Sequence, residues 1–198
     1  MSVFASAAQA FARLVRALPA ESFAGAGLGD WDLRALVGHA SRSLITVSSY
    51  LRVPATTVDI GSPAEYYTAV RGLLVDGAAV VERGRQAGRD LGETPAATVD
   101  RLVAQALADV ASAGDPLITV IGGLGIRLSD YLPTRVFELA VHSLDIARAT
   151  GIEAGIPADV LAAATTLAGS IAAESGHGET VLLALTGRTG LPVSFSVV

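Results

Sequence analysis

The chain has 198 residues, no cysteine and no lysine, and its 14 arginines against 19 acidic residues give a formal net charge of -5. This excludes disulfides, thiolate metal ligands and a protein thiol nucleophile, and arginines scattered singly form no positive stripe for nucleic acid. The length suits one domain over residues 1–198, and the longest charge-free run, Val160 to Ala173, falls short of the roughly 18 apolar residues a membrane span needs.

Val3 to Leu18 carries Phe4, Ala7, Phe11, Leu14, Val15 and Leu18 at helical spacing, with Pro19 as its stop. A Gly-rich connection leads to Asp32, an N-cap residue type, and a second helix to about Leu51 with Leu33, Leu36, Val37, Ala40, Leu44 and Val47 as its stripe. Ser62-Pro63-Ala64-Glu65 combines a capping-box pattern with proline at the first helical position, so a third helix is predicted there, its core face running from Tyr66 through Leu73 and Leu74 to Val80 and Val81. Next along the chain, the polar, Gly-containing segment RGRQAGRDLGETP reads as a loop. A fourth helix is predicted over roughly Ala97 to Ser112, ended by Gly114-Asp115-Pro116.

Between Leu117 and Leu128 the runs LITV and GIRL flank Ile121-Gly122-Gly123-Leu124, the pattern of a small hairpin. The stretch from Ser129 to Gly151 then returns to helical spacing at Leu132, Val136, Leu139, Ala140, Leu144 and Ala147, with Ser129 and Asp130 at its start, Pro133 in its first turn and Thr150-Gly151 as its stop. Pro157 opens a further helix to about Glu174, and His177, between two glycines, reads as solvated. The closing VLLALTGRTGLPVSFSVV carries β-branched residues around a Gly-Arg-Thr-Gly turn, from which one or two strands beside the hairpin are expected. No charged segment followed by an apolar run opens the sequence, so a cytoplasmic location is expected.

The helix from Ser129 carries the candidate chemistry. At about 100° per residue, Glu138 and His142 project on the same side, close enough to share one metal ion, and Asp145 lies on that face too. A lone histidine at the edge of a stripe, as His39 is, reads first as a core or boundary residue hydrogen-bonded to a neighbour. With Glu138 and His142 it makes three N/O ligands, the number a catalytic zinc uses while leaving a position open, but a glutamate and a histidine four apart equally describe an ordinary polar pair.

Trp31-Asp32-Leu33-Arg34-Ala35-Leu36-Val37-Gly38-His39 resembles the tryptophan-to-histidine helix start of DinB-like proteins, and Thr134 through Ala147, TRVFELAVHSLDIA, is similar to the corresponding segment of mycothiol-dependent maleylpyruvate isomerases. Ala35 stands where an acidic residue is common in that pattern. The resemblance runs from about Phe4 through Arg188 and covers the bundle domain, not the separate C-terminal domain of the full isomerase. It implies a mainly α, DinB-like four-helix bundle in which His39, Glu138 and His142 bind zinc or another divalent metal and a low-molecular-weight thiol, mycothiol, coordinates the same ion. The activity it implies is a thiol-using transferase or isomerase acting on a small electrophilic substrate, as a monomer or homodimer. A non-catalytic metal- or ligand-binding bundle with a regulatory or stress role is the alternative. Asp145 is a candidate for orienting a ligand or handling a proton, while Arg34, Arg42 and Arg135 are candidates for meeting an anionic cofactor or substrate.

Overall fold

The computed structural model describes residues 2–73 and 77–198; Leu74, which the sequence reading placed on a core face, lies outside the described residues. Within them are eight α-helices and one two-stranded antiparallel sheet: α1 (Val3–Ala17), α2 (Leu33–Tyr50), α3 (Pro63–Arg71), α4 (Gly77–Asp90), α5 (Pro95–Ala113), β1 (Leu117–Thr119), β2 (Gly125–Arg127), α6 (Leu128–Thr150), α7 (Ala158–Glu174) and α8 (Gly178–Leu185). The expected mainly α bundle is what forms. Helices α1, α5, α2 and α6 pack in that cyclic order, α4 lies along α2, and α7 covers α6 and α1. One apolar core runs through all of them, with Phe11, Leu36, Leu44, Leu139 and Ile146 fully buried. None of the described helices is long and apolar enough to cross a membrane.

The local signals set the helix starts. Asp32 caps α2 by accepting from Ala35 N at 2.7 Å, and Ser62 caps α3 by accepting from Glu65 N at 3.0 Å while the Glu65 carboxylate reaches back to Gly61 N at 2.8 Å. Helix α6 starts one residue before Ser129 and is capped from outside, where the Asp115 carboxylate accepts from Ser129 N at 2.7 Å. Gly151, at φ 73°, ends it as expected.

Three expectations are corrected. The segment read as a loop from Arg83 is helical through Asp90, because its glycines serve packing: a Cβ at Gly84 would sit 2.5 Å from Trp31, and one at Gly38 would sit 2.2 Å from the Gly88 nitrogen. Helices α2 and α4 thus approach closely enough that burial outweighs the low helix propensity of glycine. The C-terminal strands are absent among the described residues: Val181 to Leu185 belong to α8, and residues 186–198 pair with no strand. Both hairpin edges are already covered by residues 53–60, through Thr119 N to Val53 O, Ala55 N to Leu117 O and Ile60 N to Gly125 O. Finally, Leu144, assigned to the core stripe of α6, is 44% exposed.

Candidate metal centre

Helix α2 delivers His39 and helix α6 delivers Glu138 and His142, and the docking of these two helices brings together residues roughly a hundred positions apart in sequence. One ligand atom from each of the three lies within 4.8 Å of the others. His142 Nε2 is 3.3 Å from Glu138 Oε2, close to the roughly 3.4 Å between donors on a tetrahedral ion with ~2.1 Å bonds. The two imidazoles meet edge to face, with ring centroids 4.9 Å apart.

Each candidate ligand is held from behind. Tyr67, on α3, donates its hydroxyl to Glu138 Oε1 at 2.9 Å, leaving Oε2 turned toward His142. Asp145 Oδ2 sits 3.1 Å from His142 Nδ1, which fixes the ring and makes Nε2 the nitrogen that faces the cluster. Trp31 lies over His39 with ring centroids 4.4 Å apart and is itself anchored by its indole N–H to the Val81 carbonyl at 2.9 Å.

The charges separate accordingly. Burial, helped by the nearby His142, lowers the pKa of His39 to about 4, so that ring is neutral at pH 7. His142 moves the other way, to about 9: burial opposes its charge, but the hydrogen bonds to Asp145 and Glu138 outweigh it. Burial would likewise raise Glu138, yet the His142 hydrogen bond, the Arg135 charge and the Tyr67 hydroxyl hold it down at about 2. A metal ion fits this set on two grounds. The donors are two imidazoles and a carboxylate, which suit zinc and its divalent neighbours, and His39 Nδ1 is a buried nitrogen with no hydrogen-bond partner among the described residues.

Beside the three candidate ligands lies a cavity of about 230 Å³, into which His39 and Glu138 face together with Arg42, Arg83 and Arg135. Tyr50, Tyr66, Tyr67 and Tyr131, all four tyrosines of the chain, line the same space. Burial raises the pKa of Tyr66, Tyr67 and Tyr131, so they remain neutral hydroxyls.

A family model described as the mycothiol maleylpyruvate isomerase N-terminal domain matches residues 4–147, a span that holds all three candidate ligands, the whole of α2 and all but the last turn of α6. The chain belongs to that family. No curated protein and no solved structure matches it.

In this mycothiol maleylpyruvate isomerase-type domain the other candidate residues fall in different places. Arg135 lines the cavity and Arg42 joins it, but Arg34 turns away, donating to the Gly92 carbonyl at 2.8 Å and lying over the Phe23 ring. Asp145 sits behind His142, apart from the residues that line the cavity. Sequence reasoning missed Tyr67 and Arg83. Arg83 lay in the segment read as a loop, and no sequence signal pointed to it; Tyr67 is next to a tyrosine read as core, and the signal that pointed to it is the gathering of every tyrosine onto α2, α3 and α6.

Proposed function

We propose that this chain is a metal-dependent enzyme that uses a low-molecular-weight thiol of the mycothiol type on a small electrophile, as a transferase or an isomerase. The observation that carries the reading is the convergence of His39, Glu138 and His142 beside a cavity that His39 and Glu138 line, in a chain that has no cysteine of its own. His39, Glu138 and His142 would hold the ion, for which zinc is the best match to two imidazoles and one carboxylate. A bound divalent ion supplies Lewis acidity, which favours a thiol ligand in its deprotonated, nucleophilic form.

The protein's own groups do the rest. Asp145 holds the Nδ1 side of His142 so that Nε2 is the ligating nitrogen, and Tyr67 holds one oxygen of Glu138 so that the other is free to ligate. Asp145 therefore orients a ligand rather than moving a proton at the reacting atoms. The tyrosines exclude water from the cavity wall, and Arg135 with Arg42 makes the cavity attractive to an anionic group.

Calorimetric titration of mycothiol into metal-loaded and metal-stripped protein tests the reading. Binding is expected only in the loaded form, strengthening as pH rises toward the pKa of the free thiol, because the proton must leave. Failure to bind millimolar mycothiol at a fully loaded site would leave a non-catalytic metal-binding bundle.

A further inference from the structure

After α8 the chain changes character. Residues Leu185 to Ser194 are all exposed, and the backbone leaves the helix through Gly187 at φ 73°. A turn closed by Phe195 N on the Pro192 carbonyl at 3.1 Å then brings the chain back to the bundle. Ser194, inside that turn, sits at φ 59°, the single residue other than glycine with a positive φ among those described, so the turn holds a conformation that serine adopts reluctantly. Contact with the body resumes at Phe195, whose ring meets that of the exposed His177 edge to face, with centroids 5.6 Å apart. Val197 packs against the edge of the core, and its carbonyl accepts from Arg71, at the end of α3, at 3.0 Å.

The next residue, Val198, stands in the wall of the cavity beside the candidate metal centre while remaining 59% exposed, which puts it on the rim where the cavity meets solvent. Arg83, exposed on α4, shares that rim. Residues 195–198 thus run from the turn between α7 and α8, past the end of α3, to the mouth of the cavity. Their hold is light. Phe195 and Val197 are only half-buried, and a hydrogen bond from an exposed arginine competes with water. A segment with so little buried apolar contact opens at a small fraction of the free energy that unfolds the bundle. It also lies beyond residues 4–147, so the family match does not supply it.

We propose that residues 186–198 form a strap that gates the cavity: seated, it narrows the mouth, and released about Gly187, it admits the small molecules that reach the candidate metal centre. The gate concerns access alone and requires neither metal nor thiol, so it stands or falls apart from the proposed activity.

The chain has no cysteine, so a single introduced thiol reports access without interference. Ser43 lines the cavity and is 3% exposed, which makes Ser43→Cys a probe inside the gate, while Ala8→Cys, in the core of α1 and away from the cavity, is the control. Each is alkylated with iodoacetamide, a small neutral reagent, in metal-stripped protein. Deletion of residues 191–198 is expected to speed alkylation of the Ser43→Cys thiol at least tenfold. Arg71→Ala and Phe195→Ala, each of which removes one anchor, are expected to speed it at least threefold, and the Ala8→Cys thiol should stay equally slow throughout. Unchanged rates at Ser43→Cys would overturn the gate, and so would a parallel rise at Ala8→Cys, because the whole bundle would then have loosened. If the shortened chain fails to fold, the two anchor variants decide the matter, since both leave the helical core intact.

Discussion

Metal uptake should release one proton, and the count should not change between pH 6 and pH 7. In the metal-free protein His142 is protonated, with a pKa of about 9, whereas His39 at about 4 and Glu138 at about 2 have already lost theirs. An incoming ion therefore displaces the His142 proton and no other. Displacing it at pH 7, two units below the pKa, costs about 2.7 kcal/mol, so the apparent affinity should be roughly 100-fold weaker than above pH 9 and should rise about tenfold per unit between. Zinc titrations by calorimetry in buffers of different ionisation enthalpy give the proton count directly. Two imidazoles at their ordinary pKa of about 6.5 would instead release about 1.5 protons at pH 6 and about 0.5 at pH 7. That falling count would refute the arrangement, and Asp145→Asn, which removes the negative charge and weakens the hydrogen bond that holds the proton on His142, should give a count closer to it.

The stability of the metal-free protein should peak near pH 6.5. Below it, unfolded His39 takes up a proton that the folded site refuses down to about pH 4, and from about pH 4.5 downward unfolded Glu138 adds a second; above it, the stabilisation from folded His142⁺ is lost as pH rises through about 9, the alkaline limb sloping at most about 1.4 kcal/mol per unit. Chemical denaturation across pH 4 to 9 measures this, and His142→Gln should flatten the alkaline limb. His142→Ala should lose metal by elemental analysis while the protein stays folded by circular dichroism, since the apolar core and not the ion holds the helices together. Gly38→Ala should destabilise by about 1–3 kcal/mol and weaken metal binding together, because α2 must back away from Gly88 and carry His39 with it; thermal melts and a metal titration read the two effects.

The parts of the site that were legible in sequence are those that one helix settles. Glu138 and His142 meet because four residues make about one turn, and Arg135, three positions before Glu138, faces the same way. The same arithmetic explains Arg34 and Arg42. Five positions place Arg34 about 140° around α2 from His39, whereas three place Arg42 only about 60° away, and Arg42 alone of the two reaches the cavity. Asp145 shares the Glu138 face but stands roughly 10 Å further along the axis, which puts it behind His142. That His39 joins the pair depends on how α2 docks on α6, which no local pattern encodes; only the family resemblance pointed to it. Helix α4 was hidden for the opposite reason, since glycines that mark a turn in isolation mark a close helix contact once a partner is present.

The stack of Trp31 on His39 makes the molecule its own optical indicator. This is the sole tryptophan of the chain, and its ring centroid lies 4.4 Å from that of a candidate ligand imidazole. His39 is neutral in the metal-free protein, and an ion held by it would polarise the ring that lies against the indole, so the emission of the whole protein should respond to what that one side chain carries. Loading, stripping and exchange at the centre become visible in unlabelled protein, in real time and without a substrate, against a background that contains no other indole.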